Sequence, residues 1–478
     1  MASYQELQRA FVDRLGGASV SDLENGTIVV IPSATFALSE LQKIVGIARY
    51  EERLLCMLLW LRRPGLRMVY VTSLPVDQAV LEYYLGFLPD PDDAGRRLTM
   101  LTLDDPDPEA LAPKLVRRPD VLDALAASAG PADQAYLLPF NVTEHERVLS
   151  ERVQLPVYGP TPEAAALGSK TGSRRIARQA GVAVLPGEED LRSVADLDAA
   201  VERLRGAGAV AAVAKLNNGF SGQGNAILDL QAGGGSVLGC PTVFCAGEEA
   251  WPSFSAKMQA EGAIVEELVR RAGTVSPSVQ MRIAPNGAVE VVSTHDQILG
   301  GPENQVYLGC RFPASADYRL VIQEQAVWVA EALAAEGVMG SFGIDFIVPP
   351  DGEVYLSEIN LRMGGTTHPF WMTRLATQGT YDADTGELVT NGQGRCYVAS
   401  DNLKSATLLG RSPADIIIEV RRRGWAFDPE RGAGVTVHLL GALPEHGKMG
   451  VTCIAPTMDE ADALFTDVST ALMGGRPT

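Results

Sequence analysis

One segment restricts the possible folds of this chain more than any other: residues 343–362, with the sequence GIDFIVPPDGEVYLSEINLR. Its two apolar runs flank Asp351 and Gly352, a pair that favours the centre of a tight turn between antiparallel strands. Positions equidistant from such a turn lie opposite each other, so Asp345 faces Glu358, with Cβ atoms about 5 Å apart. The sequence therefore predicts a hairpin with two opposed carboxylates.

The second strand of this hairpin carries polar side chains at alternate positions. Alternate residues of a strand share a face, so Glu358, Asn360 and Arg362 point the same way. Opposed carboxylates repel each other unless a cation or a proton lies between them, and Mg²⁺ prefers oxygen ligands together with substrate phosphates. Two interpretations follow: a magnesium site formed by Asp345, Glu358 and Asn360, or a solvated acidic face balanced by Arg362.

A glycine-rich segment, KLNNGFSGQGN, separates two apolar runs further upstream. Its spacing matches neither a Walker A loop nor a dinucleotide fingerprint. A loop with several free backbone N–H groups can still close over phosphate oxygens, and Lys215 at the end of the first run could add an ammonium group. The alternative is an ordinary hairpin tip with a strand-end lysine. The loop residues concerned are Gly219, Phe220, Ser221, Gly222 and Gly224.

The segment IVEELV, residues 264–269, predicts a strand that ends in a polar edge. Such an edge can offer backbone groups to an adenine and a carboxylate to its amino group or to a ribose. The alternative is a pair of solvated glutamates. The candidate residues are Glu266, Glu267, Leu268 and Val269.

The first 155 residues alternate helical patterns with four short apolar runs, at 26–33, 67–73, 97–103 and 135–141. Strands separated by helices predict a parallel, Rossmann-like sheet. No GxGxxG follows any of the runs, so dinucleotide binding is not indicated. The chain of 478 residues is long enough for two to four domains, and its last part adds two further strands and a final helix.

Composition limits the possible partners and location. A formal net charge of −19 argues against nucleic acid and against an anionic membrane surface. The longest strongly apolar run, LLCMLLWL at 54–61, is too short to span a bilayer, and the N-terminus lacks the apolar core of a signal peptide. Six cysteines without a CxxC pair favour reduced thiols. We therefore expect a cytoplasmic protein.

The order of these parts resembles the ATP-grasp superfamily of carboxylate–amine ligases over about residues 160–375. A helix-opening lysine, Lys170, precedes Lys215, the glycine loop and the VEE-L-V segment, and the Asp345 to Glu358-x-Asn360 spacing is similar to that of D-alanine–D-alanine ligases. The N-terminal part, the run INLRMGGTTHP and the tail more closely resemble pheganomycin-type peptide ligases of peptidyl natural-product biosynthesis.

The resemblance implies a fold class and a domain division. It implies an α/β (α+β) ATP-grasp fold with a Rossmann-like pre-ATP-grasp domain at 1–155. The ATP-grasp domain would occupy 156–400, with a lid subdomain at about 205–270. A small C-terminal α+β domain would occupy 401–478.

The resemblance also implies roles for the site residues. Lys170 and Lys215 would bind the phosphates of ATP under the closing 217–225 loop, and residues 266–269 would frame the adenine. The Asp345, Glu358 and Asn360 side chains would hold Mg²⁺, as two ions bridged by Glu358. The Arg362 side chain would face the transferred phosphoryl group.

Three further candidates are less well defined. D-alanine ligases carry an arginine where this chain has Gly343, so Arg362 or Arg282 would have to supply that charge. His368 could orient a substrate or act as a base, or it could be structural. Arg311 could bind a substrate carboxylate.

The implied reaction joins an amino-acid donor to the amine of a peptide acceptor. ATP would activate the donor carboxylate as an acyl phosphate, and amide formation would release ADP and phosphate. The resemblance implies peptide antibiotic biosynthesis, with an unusual donor such as a modified phenylglycine. A homodimer is compatible with the resemblance but does not follow from it. The alternatives are a kinase acting on a small-molecule hydroxyl and a non-catalytic ATP-binding scaffold, which the intact lysines and metal ligands disfavour.

Overall fold

The computed structural model describes residues 2–15, 23–219, 222, 224–232 and 235–474, and these form three sheets. The strands of the N-terminal sheet are β1 (Asn25–Ile31), β2 (Gly65–Thr72), β3 (Leu98–Thr102) and β4 (Ala135–Pro139). They pair in parallel in the order β3-β2-β1-β4, which confirms the Rossmann-like sheet. The apolar run at 54–61 lies in a buried 3₁₀ helix, Ile47–Arg62, and so contributes to the core.

The second sheet, here called the lid sheet, is antiparallel. Its strands are β5 (Gly187–Leu191), β6 (Ala211–Leu216), β7 (Asn225–Asp229), β8 (Thr242–Phe244) and β9 (Ala263–Glu267), in the order β5-β9-β6-β7-β8. It begins earlier than the predicted lid subdomain at 205–270 because β5 pairs with β9.

The third, central sheet has ten antiparallel strands. They are β10 (Pro277–Ile283), β11 (Val289–Gly300), β12 (Val306–Phe312), β13 (Gly340–Ile347), β14 (Tyr355–Asn360), β15 (Thr380–Asp382), β16 (Glu387–Thr390), β17 (Gln393–Lys404), β18 (Gly434–His438) and β19 (Lys448–Ala455). The order is β14-β13-β10-β11-β12-β17-β16-β15, with β19 joining β17 to β18. The boundary expected at 400/401 falls inside β17, so the C-terminal strands extend the central sheet.

Helices cover these sheets. They are α1 (Tyr4–Leu15), α2 (Leu38–Leu41), α3 (Gln78–Leu85), α4 (Pro91–Arg96), α5 (Leu111–Val116), α6 (Pro119–Ala129), α7 (Glu144–Val153), α8 (Lys170–Gln179), α9 (Val194–Gly206), α10 (Trp251–Glu261), α11 (Arg319–Ala335), α12 (Thr367–Thr377), α13 (Pro413–Arg422), α14 (Leu443–His446) and α15 (Met458–Leu472). Short 3₁₀ helices lie at Pro162–Gly168, Val237–Gly239, Pro302–Asn304 and Leu440–Ala442. Among the described residues, no helix combines the length and the apolar character that crossing a bilayer requires.

The predicted hairpin is formed by β13 and β14, and Asp345 pairs with Glu358 as expected. Its turn lies slightly earlier than predicted, because the Gly352 amide donates to the Pro349 carbonyl oxygen. The register then shifts between Asp345 and Phe346, so that Phe346 faces Leu356. Ser357 is left as the extra residue of a β-bulge, which re-aims side chains next to the carboxylate pair.

Candidate active site

A cleft of about 920 Å³ lies between the lid sheet and the central sheet. Its walls also include N-terminal residues from Lys43 to Arg53 and C-terminal residues from Asp401 to Lys448. All three predicted metal ligands, both predicted lysines and the 266–269 segment line this one cleft. Residues that are far apart in the chain therefore meet at a single site.

The carboxylate pair lies at the centre of the cleft wall and is bridged by an amide. The Asn360 Nδ2 group donates to Asp345 Oδ2 at 3.0 Å and to Glu358 Oε1 at 2.9 Å. Gln297 Nε2 donates to the other Asp345 oxygen at 2.9 Å, and Lys170 Nζ forms an ion pair with Glu358 Oε2. Every oxygen of the pair is thus held by a donor.

The electrostatics of this pair fit a divalent cation. Burial, and then the charge of Glu358, raise the pKa of Asp345 above its usual range. Burial raises the pKa of Glu358 as well, but the Lys170 ammonium group, the Lys215 charge and the Asn360 hydrogen bond together outweigh burial and lower it. Asp345 and Glu358 together form a buried pair of opposed carboxylates, and Mg²⁺ prefers such oxygen ligands.

Lys215 lies on the lid side of the cleft and is almost fully buried. Its Nζ is 2.7 Å from Glu266 Oε1 and 3.3 Å from Ser357 Oγ, so the β-bulge supplies one of its partners. Glu266 also accepts from Arg174 Nη1 at 3.0 Å, and both of these side chains are only 1% exposed. The Glu266 carboxylate is therefore committed to Lys215 and Arg174, and the adenine contact expected from it is not available in this arrangement.

The remaining residues of the predicted adenine segment continue along the cleft wall. The Glu267 amide donates to Pro186 O at 2.8 Å, and the Leu268 amide donates to Ala211 O at 3.0 Å. These two amides join neighbouring parts of the lid sheet. Among the described residues, no backbone partner is found for the Val269 amide, which lies on the cleft wall.

The glycine loop is attached at its base to the start of α8. Asn217 accepts from the Thr171 amide at 3.0 Å through Oδ1, and Lys170 Nζ donates to Gly219 O at 3.4 Å. Gly219 and Gly222 line the cleft, and Gly224 packs against Gly219. The predicted contacts of Phe220 and Ser221 lie outside the described residues.

Gly222 brings the loop against the opposite wall of the cleft. It has a φ of +76°, and a Cβ placed there would lie 2.0 Å from the carbonyl oxygen of Gln305. A second contact joins the same two walls, because Nδ2 of Asn225 in the lid sheet donates to Gln305 Oε1 at 3.1 Å. Only a residue without a side chain permits this approach.

Replacing Gly222 with alanine is expected to lower kcat/KM for ATP about tenfold or more, because the methyl group pushes the loop away from Gln305 and adds positive-φ strain. The measurement is steady-state kinetics with varied ATP. Gly235→Ala is the matched control, since its φ of +100° carries similar strain but no atom lies within 4 Å of the added Cβ. An equal loss in both variants would show that strain, not the contact, is responsible.

Of the arginine candidates, only Arg362 lines the cleft. Its Nη2 donates to Asn360 Oδ1 at 2.7 Å, and its guanidinium lies 5.5 Å from the centre of the Phe36 ring. Arg282 is buried outside the cleft lining and pairs with Glu290, so this arrangement favours Arg362 over Arg282 as the source of the missing charge.

Arg311 and His368 are also placed away from the cleft. Arg311 pairs with Asp462 of α15 at 2.9 Å and lines a separate cavity, because β12 turns its side chain towards the C-terminal helix. His368 is buried in α12 with its Nε2 3.0 Å from His438 Nε2, and burial holds its pKa well below the usual value. His368 is therefore absent from the cleft lining in this arrangement, which favours its structural alternative, and the substrate contact stays a prediction.

Several cleft residues were not predicted from the sequence. Ser357 accepts from Lys215, and Arg53 and Lys448 form a further part of the wall. Arg174 lies outside the lining and holds Glu266, the counter-charge of Lys215. Glu51-Glu52-Arg53 is the only detectable signal for this last group: three charged residues directly before an apolar run. A triplet of this kind is usually solvated, so the sequence alone does not reveal that it is buried.

Comparison with known proteins agrees with this geometry. A family model described as IQCH-like, ATP-grasp matches residues 243–383, and one described as PGM1 C-terminal domain matches residues 417–468. The chain is 32% identical over 474 residues to an L-propargylglycine–L-glutamate ligase from Streptantibioticus cattleyicolor, covering 95% of each chain. It is 22% identical over 428 residues to IQ motif-containing protein H from Danio rerio, covering 76% of this chain and 40% of that protein.

Solved structures share the fold at low sequence identity. The ADP complex of PurK, an N5-carboxyaminoimidazole ribonucleotide synthetase, has a TM-score of 0.54 and 13% identity, covering 94% of this chain and 98% of that one. A biotin carboxylase complex from Campylobacter jejuni has a TM-score of 0.55 and 15% identity, covering 94% and 91%. The near full-length match to the ligase and the match to an ATP-grasp model confirm the predicted fold and family. This chain belongs to the ATP-grasp superfamily of carboxylate–amine ligases, which are ATP-dependent and ADP-forming enzymes.

Proposed function

We propose that the enzyme activates the carboxylate of one amino acid as an acyl phosphate and joins it to the amine of a second amino acid or of a peptide. The observation that carries this proposal is the meeting of Lys170, Lys215 and the Asp345–Glu358–Asn360 group in one cleft. Phosphoryl transfer requires positioned cations around the phosphate oxygens, and this arrangement supplies them. The similarity to a ligase named for two amino acids supports the choice of substrates.

In the first step, an oxygen of the donor carboxylate bonds to the γ-phosphorus of ATP, and the bond from that phosphorus to ADP breaks. Lys170 and Lys215 neutralise phosphate charge, and Arg362 steadies the phosphoryl group. Magnesium bound at Asp345, Glu358 and Asn360 would add charge neutralisation at the phosphate oxygens. In the second step, the acceptor nitrogen bonds to the acyl carbon, the carbon–oxygen bond to phosphate breaks, and the amine loses a proton.

The residues that line the cleft also suggest how ATP would lie in it. The phosphates would lie at the two lysines, beneath the glycine loop, and the adenine would lie along residues 267–269, with the Val269 amide as a hydrogen-bond donor. Contact between Gly222 and Gln305 would keep water from the acyl phosphate. The resemblance of the run INLRMGGTTHP and of the tail to pheganomycin-type peptide ligases extends this proposal to peptide antibiotic biosynthesis, with an unusual donor such as a modified phenylglycine.

Trapping the acyl phosphate tests the proposal. The full chain, ATP and Mg²⁺ are incubated with a panel of amino acids and hydroxylamine, and hydroxamates are sought by mass spectrometry. Formation of a hydroxamate that requires ATP is the expected result and identifies the donor. A phosphorylated alcohol without any hydroxamate would instead support a kinase, and ATP binding without turnover would support a scaffold.

A further inference from the structure

Near Arg362, the cleft wall carries cations that the steps above do not use. Arg53, Lys404 and Lys448, here called the basic end, line this part of the wall. Arg53 comes from the 3₁₀ helix of the N-terminal domain, whereas the two lysines lie at the ends of the paired strands β17 and β19. The basic end therefore exists only where the N-terminal domain meets the C-terminal segment.

The Arg53 guanidinium is buried without a matching acceptor. The residue is only 8% exposed, and its Nε is buried with no hydrogen-bond partner among the described residues. The closest carboxylate, Asp401, is 3.6 Å from Nη1, which is longer than a hydrogen bond. Because a buried guanidinium is stable only when its N–H groups are satisfied, this one is suited to an incoming anion.

The position of Arg53 is set by its neighbours on both sides. Glu51 accepts hydrogen bonds from Ser73 in the N-terminal domain, and Glu52 accepts from the Gly441 amide at 2.9 Å in the C-terminal segment. The guanidinium lies 4.7 Å from the ring centre of Tyr50. These contacts hold the Arg53 guanidinium in one orientation. A guanidinium held in this way can bind a carboxylate through two parallel N–H···O hydrogen bonds.

Lys448 strengthens the same end of the cleft. It is almost fully buried, donates to the Tyr50 hydroxyl and lies 5.0 Å from the centre of that ring. Burial is the main cause of its lowered pKa. Asp401 is the carboxylate nearest to Arg53, and Arg53, Lys404 and Lys448 lie around it, so the basic end carries more positive than negative charge.

We propose that the basic end binds the free α-carboxylate of the acceptor, which is therefore an α-amino acid and not the N-terminus of a longer peptide. This inference rests on the function proposed above. ATP phosphates occupy the lysines at the other end, and a donor with one carboxylate keeps no anion after activation, which leaves the acceptor carboxylate for the basic end. A donor with a second carboxylate would instead make Arg53→Gln act on the donor KM. In an α-amino acid the amine and the carboxylate share one carbon, which places the anion just beyond the acyl phosphate at Arg362. In a peptide that group is an uncharged amide.

Matched acceptors and variants test this inference. With the donor found by hydroxamate trapping, kcat/KM is measured for the common L-amino acids, for their carboxamides and for dipeptides. The wild-type enzyme is expected to prefer the best free amino acid over its carboxamide by about 30-fold or more, the range for a charge-assisted hydrogen bond. In Arg53→Gln this preference is expected to fall to within about threefold, and Arg53→Lys is expected to restore part of it.

Controls separate recognition from folding. Arg175→Gln removes an arginine that also pairs with an aspartate, Asp190, but lies outside the cleft lining, so it should keep the wild-type preference. Circular dichroism and thermal unfolding check each variant. If Arg53→Gln does not fold, Lys448→Met replaces it, with an expected fall in preference of about fivefold or more.

Several results would overturn the inference. Equal use of amino acids and carboxamides by the wild-type enzyme, use of dipeptides alone, or a parallel loss for acid and amide in Arg53→Gln would each do so. Hydroxamate formation without any amide product from a free amino acid would also overturn the inference. The same holds if Arg53→Gln changes only the KM of the donor. Failure of hydroxamate trapping itself would instead reject the proposed function, so the two failures are distinguishable.

Discussion

Replacing Glu358 with glutamine is expected to lower kcat for amide formation about a thousandfold or more, equivalent to about 4 kcal/mol in the barrier. The substitution keeps the shape of the side chain but removes the charge that Lys170 and Asn360 hold in place. It also leaves Asp345 as the only carboxylate of the pair, too little to hold a divalent cation tightly. Calorimetric titration with Mg²⁺ and ADP should show weakened metal binding alongside the loss of rate.

The same hairpin provides the control for this prediction. Glu353 is exposed near the turn and lies outside the cleft lining. Glu353→Gln should therefore retain wild-type kcat and Mg²⁺ affinity. Turnover near the wild-type rate in Glu358→Gln would contradict the assignment of the metal site.

Replacing Arg174 with methionine is expected to lower the free energy of unfolding by about 3–5 kcal/mol, the range for removing one partner of a buried ion pair. Arg174 donates to Glu266 at 3.0 Å, to Glu189 at 3.1 Å and to Leu185 O at 3.0 Å. Without it, Lys215 is the one counter-charge of the buried Glu266 that remains among the described residues. Urea unfolding followed by circular dichroism measures the effect.

The neighbouring arginine is a matched control. Arg175 forms an exposed ion pair with Asp190, and pairs of that kind contribute little. Arg175→Met should change the unfolding free energy by less than about 1 kcal/mol. If Arg174→Met were equally mild, the buried pair would not be the element that joins α8 to the lid sheet.

Local patterns predicted the elements whose partners are close in the chain. The β13–β14 hairpin and its facing Asp345 and Glu358 follow from alternation and a turn signal within twenty residues. The parallel N-terminal sheet follows from repeated strand and helix patterns. Even so, the bulge at Ser357 was not predicted, because a single extra residue leaves no periodic signal.

Roles that depend on distant partners were harder to predict. Glu266 was expected to face adenine, but Arg174, 92 positions away, holds its carboxylate inside the protein. His368 follows the GGTT run at the cleft, yet α12 turns it inward onto His438. In both cases, the decisive contact involves a residue that no short window of sequence contains.

The sequence by itself determined the order of the chemical parts: two lysines, a glycine loop, a polar edge and a carboxylate hairpin, an order that resembles the ATP-grasp superfamily. Only the tertiary structure decided which charged residues are buried and what they face. Arg53 and Lys448 lie almost four hundred residues apart and meet through packing on Tyr50. The reason is physical, since a side chain's charge and hydrogen-bonding capacity are local properties, whereas its burial depends on every element packed around it.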